Sequence, residues 1–410
     1  MPTSSFFSDP AILSLVSASL VLLLAQIYTN VAVHRSQLPR MKAWVVVKNG
    51  GPSEALALKD VGEETTTALP VPQGANVLIR VSHAALNPAD LVFMRHIPTW
   101  VPFRRQAIPA MDFAGQIVAL GPQAAAVPSH AAAPLVVGAR VAGCISVALI
   151  ATGHGALVEY LTVPAELVAR QPLAFGDSNE LAGPPSAGLL GCAGQTAHLA
   201  ATDPCAEAAF RANRPRVLIN GASGAVGSLL IQISKARGAY VAAVCSGKNA
   251  AFVRRLGADV VIDYTKHDPL SAYLAATPTY HGSGAFHLIF DCVGDQSLFV
   301  KSPAYLLPQG ALVCIVGKGL MAVPYTLQNR LLPSFLGGTP RTYRLLGMAP
   351  SGKRARAVAK WADEGGLVQE MTIDSEYGMA DVKEAYEKLA TKRSVGKIVI
   401  RVQADKEVVQ

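Results

Sequence analysis

The chain has 410 residues, about half of them apolar and only 16% charged, with a positive mean hydropathy. That balance excludes a disordered chain, and the length suffices for two domains. The formal charge of +8 (36 Lys and Arg against 28 Asp and Glu) contains no Lys/Arg run of five, which speaks against nucleic acid as a partner.

Residues 11–29 form a run of 19 residues without a charge, rich in Leu, Val, Ile and Ala. That meets the roughly 20 residues a transmembrane helix needs. Only Asp9 precedes the run as a charge, so a cleaved signal peptide lacks its basic start. Arg35, Arg40 and Lys42 follow it, and the positive-inside rule then keeps the C-terminal side in the cytosol. Residues 1–40 are therefore expected to be a membrane anchor and linker. The expected placement is single-pass, touching lipid through residues 11–29, with the catalytic part facing the cytosol. A mitochondrial membrane is the alternative. The six cysteines, Cys144, Cys192, Cys205, Cys245, Cys292 and Cys314, include no C-x-x-C pair. Free thiols in a reduced compartment are expected.

From Met41 the sequence reads as short strands separated by Gly and Pro. They run near 42–47, 76–81, 116–120, 140–142 and 158–163. This predicts a compact, partly barrel-like β domain over 41–185, with a surface loop at 123–134. From about residue 186 strands and helices alternate, which predicts parallel βαβ units to residue 349. Residues 350–410 hold two helices and a closing strand near 397–402, read as a return to the first domain.

The densest signal lies in Val217–Leu230, where an apolar strand meets the turn Gly221-Ala222-Ser223-Gly224-Ala225-Val226-Gly227 and continues as an amphipathic helix. Gly221 permits the tight turn, Gly224 lets backbone approach a pyrophosphate, and Gly227 lets the helix pack close. The free N–H groups of the helix start then face the anion. An NAD site would place an acid at the end of the next strand. Here that strand runs into Cys245-Ser246-Gly247-Lys248, so a 2′-phosphate has a hydroxyl and an ammonium to meet it. NADPH is the expected cofactor. The alternative is that Ser246 only caps the following helix and Lys248 is solvated.

These residues, with others in order, resemble the medium-chain dehydrogenase/reductase superfamily, and within it the zinc-free quinone oxidoreductase branch. Reticulon-interacting-protein-like and fungal zinc-type alcohol dehydrogenase-like members look most similar. The likeness runs from Met41 to about Val402. It is carried by Asn87-Pro88-Ala89-Asp90, by Pro109-Ala110-Met111-Asp112-Phe113-Ala114-Gly115 with Ala replacing a Gly at 110, and by Gly138-Ala139-Arg140-Val141. Residues 221–227, Asp263-Tyr264 and Gly396-Lys397 complete it. The resemblance implies a GroES-like catalytic domain beside a Rossmann doubly wound parallel sheet. It implies cofactor contacts at Ser223, Ala225, Val226, Ser246, Lys248 and Tyr264, and nicotinamide-side contacts near Val293 and Gly317.

The positions matching the catalytic zinc ligands of that superfamily hold Asn87, Met111-Asp112 and the Cys192 neighbourhood. Neither Asn nor Met is a usual zinc ligand, so no metal is expected. Hydride must then go to an acceptor that is already electrophilic, a quinone or an α,β-unsaturated carbonyl. Asn87 is the candidate to orient the nicotinamide ribose or the acceptor. Asp90 is expected to be a structural hydrogen-bond partner. Trp100, Phe103 and Phe113 line an apolar pocket or pack in the core. Two alternatives stay open: a trans-acting 2-enoyl-thioester reductase, and a membrane NADPH-binding scaffold with little activity. A second copy of the chain, as a homodimer, is a further candidate partner.

Overall fold

The computed structural model describes residues 40–62, 69, 71–100, 104, 106–127, 134–175, 183–277, 284–316, 322–364 and 367–403. Its first strands are β1 (Met41–Val46), β2 (Leu56–Val61), β3 (Asn76–Ala85), β4 (Asp112–Leu120), β5 (Arg140–Cys144), β6 (Tyr160–Pro164) and β7 (Val168–Arg170). The later ones are β8 (Arg216–Asn220), β9 (Tyr240–Cys245), β10 (Val260–Asp263), β11 (Phe286–Asp291), β12 (Leu306–Cys314), β13 (Thr342–Leu345), β14 (Ile373–Gly378) and β15 (Lys397–Arg401).

Six strands form a wholly parallel sheet in the order β10-β9-β8-β11-β12-β13. Its central strands are continuous apolar runs because helices cover both faces: Val217, Leu218, Ile219, Leu288, Ile289 and Phe290 have no exposed surface. Counted within this sheet the order is 3-2-1-4-5-6. The direction of winding reverses between β8 and β11, and the crevice at the C-terminal ends of those two strands is where such sheets bind ligands. The helix Ala225–Ala236 follows β8 and buries Leu229, Leu230 and Ile233 against the sheet.

The second sheet has the order β14-β15-β3-β4-β5-β7, with β6 also pairing β3. It is antiparallel except where β14 meets β15. Residues 373–401 thus return to the sheet begun at residue 76. β15 enters it beside β3, and this brings the end of the chain to the Asn87 region.

No helix among the described residues is long and apolar enough to cross a membrane. The longest have 12 residues, Ala225–Ala236 and Gly352–Asp363, or about 18 Å against the ~30 Å of a hydrocarbon core. The apolar excess of the described chain is spent inside the two sheets and their covering helices. The expected single-pass membrane placement, cytosol-facing or mitochondrial, is corrected accordingly. Residues 11–29, on which that expectation rested, lie outside the described residues.

Candidate active site

At the winding reversal, Asn220 ends β8 and Asp291 ends β11, and the Asn220 amide donates to the Asp291 carboxylate at 3.0 Å. Asp291 also accepts the N–H groups of Val293 and Gly294 at 2.9 and 3.0 Å and of Asp295 at 2.7 Å. Burial pushes its pKa up, and these donors oppose the rise. The carboxylate so moulds the turn after β11 and sets Val293 against the glycine turn. A Cβ at Gly221, whose φ is +79°, would lie 3.0 Å from Val293 Cγ2. Asp291 and Asn220 were not anticipated as site residues. An acid ending an apolar strand was the available signal.

The turn behaves as its glycines require. A Cβ at 227 would come within 2.3 Å of the Gly221 carbonyl oxygen, so only glycine lets the helix start this close to the turn. At 224 the nearest atom to a Cβ would be 3.4 Å away. Gly224 is the N-cap and brings no side chain to the helix end. The N–H groups of Ala225, Val226 and Gly227 lie in the first turn, where a helix offers no internal acceptor. Ser223 Oγ instead accepts the Asn249 amide at 3.0 Å, which ties the turn to the loop after β9.

That loop carries the second group. Ser246 is buried and its hydroxyl makes no cap to the turn that follows, contrary to the capping alternative. Lys248 is exposed, and Tyr264, 51% exposed, follows β10 and donates its N–H to the Cys245 carbonyl at 3.2 Å. Asp263 accepts the Thr265 N–H and hydroxyl at 3.0 and 2.7 Å, and its other oxygen lies against Gly247, 2.4 Å from where a Cβ there would stand, so the carboxylate faces this loop. The Thr265 hydroxyl and the N–H groups of Thr265 and Gly247 hold its carboxyl below the usual range. Gly317 lies outside the described residues.

The third group is a buried polar junction. Asn87 is 4% exposed, and its amide is engaged at both ends. Lys397 Nζ donates to Asn87 Oδ1 at 2.6 Å, and Asn87 Nδ2 donates to Asp112 Oδ2 at 2.9 Å and more weakly to the Ala85 carbonyl at 3.4 Å. Lys397 Nζ also lies 2.8 Å from Asp112 Oδ2. Asp112 Oδ1 accepts the Cys192 N–H at 2.7 Å, at the start of the helix Cys192–Ala201. Burial alone would push the Lys397 ammonium down, but Asp112 beside it outweighs this and its pKa is raised. The neighbouring Cys144 thiol is pushed up by burial. Asp90 accepts the Asn87 N–H at 2.8 Å and the Tyr386 hydroxyl at 3.4 Å. It therefore holds the start of the helix Pro88–His96, as expected of a structural partner, and burial pushes its pKa up to about 7.

A backbone hydrogen bond joins the junction to the glycine turn. Gly396 donates its N–H to the Ser223 carbonyl at 3.0 Å, immediately before Lys397. The sequence marks Gly396-Lys397 but gives no sign that its ammonium ends 310 residues away on Asn87. Ala110, where the resemblance has Gly, takes φ +71°, a region that favours glycine. Phe113 is wholly buried, whereas Trp100 is 77% exposed; Phe103 lies outside the described residues.

A zinc ion does not fit these side chains. The carboxylate of Asp112 is already shared among an ammonium and two N–H donors, and the ammonium would repel a divalent cation. Among the described residues no cluster of three or more His, Cys, Asp or Glu is placed to hold a metal.

The family model described as "Alcohol dehydrogenase GroES-like domain" matches residues 73–173, and the one described as "Zinc-binding dehydrogenase" matches residues 256–400. The chain is 34% identical to the medium chain reductase pydE of Acremonium sp, across 88% of this chain and 99% of that protein. It is 31% identical to the trans-enoyl reductase poxH of Penicillium oxalicum, across 89% and 98%. Among solved structures, the quinone oxidoreductase from Coxiella burnetii superposes with a TM-score of 0.66 at 24% identity, covering 89% of this chain and all of that one. A mycobacterial protein complexed with NADPH superposes with a TM-score of 0.65 at 23% identity, covering 88% and 99%.

Proposed function

We propose, from the premise that this chain belongs to the medium-chain dehydrogenase/reductase superfamily, that it is an NADPH-dependent reductase acting without a metal on a double bond conjugated to a carbonyl, quinones included. The observation that carries this reading is the uncapped helix start at residues 224–227, set at the winding reversal and joined through Gly396 to a buried ammonium.

NADPH, when bound, supplies the hydride. The chain's own residues hold and orient. The turn Gly221–Gly227 and the N–H groups of Ala225 and Val226 meet the pyrophosphate, where the helix dipole favours negative charge. Ser246 and Lys248 meet the 2′-phosphate, with Tyr264 flanking them. Asp291 holds Val293 toward the nicotinamide end. With an ammonium where a Lewis acid would stand, the site suits an acceptor that is already polarised. The trans-enoyl reductase of Penicillium oxalicum, similar over nearly its whole length, favours a second, narrower reading in which that acceptor is a 2-enoyl thioester.

The test is consumption of NADPH and NADH by the purified full chain against a panel of enones, enoyl thioesters and quinones, repeated with Lys248→Glu. The expected result is turnover of at least one class with NADPH preferred, and a loss of NADPH affinity at least 10-fold greater than of NADH in the variant. Equal effects on the two cofactors would overturn the phosphate assignment. Tight NADPH binding without turnover on any class would favour the scaffold alternative.

A further inference from the structure

Lys397 is 3% exposed and Asp112 is wholly buried. Burying a charge is costly, and an ion pair held this deeply gives little net stability over an apolar pair of the same volume. The geometry around Asn87 gives the pair something else to do. An amide has two orientations of nearly equal shape. Here one end faces an ammonium at 2.6 Å and the other a carboxylate at 2.9 Å. Flipping it would set NH₂ against the ammonium and the carbonyl against the carboxylate, so two charge-assisted hydrogen bonds would become two repulsions. Orientation is fixed by charge rather than by packing. The ammonium on Oδ1 also polarises the amide and strengthens its N–H groups as donors. The residue before Lys397 bonds to the Ser223 carbonyl, so the same strand end that carries the ammonium is registered on the glycine turn.

We infer that Lys397 is a positioning residue for the reduction: it holds the Asn87 amide in one orientation against Asp112 and, through Gly396, fixes that amide relative to the glycine turn of residues 221–227. The inference rests on the reading of that turn as the NADPH site. The plainer role, a counter-ion for Asp112, makes a different forecast.

The test compares Lys397→Met, Asp112→Asn and the double variant. It reads thermal stability, NADPH affinity, kcat, and the primary isotope effect with NADPH deuterated at the transferred position. Lys397→Met strands a buried carboxylate and lowers the melting temperature by several degrees. The double variant removes both charges and restores most of that loss. With the ammonium gone, the amide introduced at 112 favours the flipped Asn87. So kcat stays at least 10-fold below wild type, NADPH affinity changes less than 3-fold, and the isotope effect rises as hydride transfer becomes limiting. Recovery of kcat along with stability in the double variant would reduce Lys397 to a counter-ion and overturn the inference. Should neither Met variant fold, Asn87→Ala carries the test, because the Lys397–Asp112 pair survives in it. Lost kcat with retained NADPH affinity is then expected, and wild-type kcat would overturn the inference. A wild-type chain that neither binds NADPH nor turns over the panel would instead refute the reading on which the inference rests.

Discussion

In the glycine turn, residues that act together are neighbours: Gly221, Gly224 and Gly227 lie within seven positions, and their spacing follows from one strand entering one helix. At the polar junction, Asn87, Asp112, Cys192 and Lys397 come from four separate segments and meet only because β15 enters the sheet beside β3. The first region depends on the absence of atoms, the second on a balance of charges. Substitutions should therefore fail in different ways, by collision at the turn and by stranded charge at the junction.

The largest effect is expected at Gly227. In Gly227→Ala the new methyl meets backbone at 2.3 Å, an overlap that the turn relieves only by moving. The expected cost is about 1–3 kcal/mol of stability, with NADPH affinity falling at least 100-fold. Gly224→Ala has its nearest neighbour at 3.4 Å, so the fold should tolerate it while NADPH binding weakens. Denaturant unfolding and NADPH titration of both variants check this. Equal stability losses would break the claim that 227, and not 224, carries the helix–turn packing.

A smaller effect, seen only against pH, is expected at Asp90. Its pKa is raised from 3.8 to about 7 in the folded chain, chiefly by burial. The native state therefore holds a proton that the unfolded chain has released. The stability this contributes is present in full below about pH 4 and is lost as pH rises through about 7. The change is on the order of 4 kcal/mol at most, at 1.36 kcal/mol per pKa unit. Asp90→Asn keeps an acceptor for the Asn87 N–H without a titrating group, so its melting temperature should be flat where wild type declines. A wild-type melting temperature that rises from pH 5 to pH 8, or a parallel decline in the variant, would contradict the sign.

The same contrast explains what was legible in the sequence. The strand at 216–220, the glycine turn and the helix from 225 could be read because period, punctuation and anion chemistry coincide within a short stretch. Four strands were not foreseen: β2, β7, β13 and β14. All four end a sheet or ladder, where one edge carries no neighbouring strand and little apolar pattern is needed, and β7 and β13 have only three and four residues. β14, Ile373 to Gly378, has no wholly buried residue. Asn87 was singled out for its motif. That its amide oxygen is taken by Lys397 could not be foreseen, because only the closing strand brings the two together. Ala110 shows the opposite case, a departure visible in the sequence whose consequence, a left-handed backbone on a residue with a Cβ, is visible only in the fold.

The claim that the hydride acceptor is reduced without a metal can be tested directly. NADPH oxidation would be followed with the best acceptor of the panel, using protein exhaustively treated with a chelator and then supplied with zinc. Turnover that is unchanged by chelation and not raised by zinc is the predicted result. Activity abolished by the chelator and restored by zinc would contradict the account.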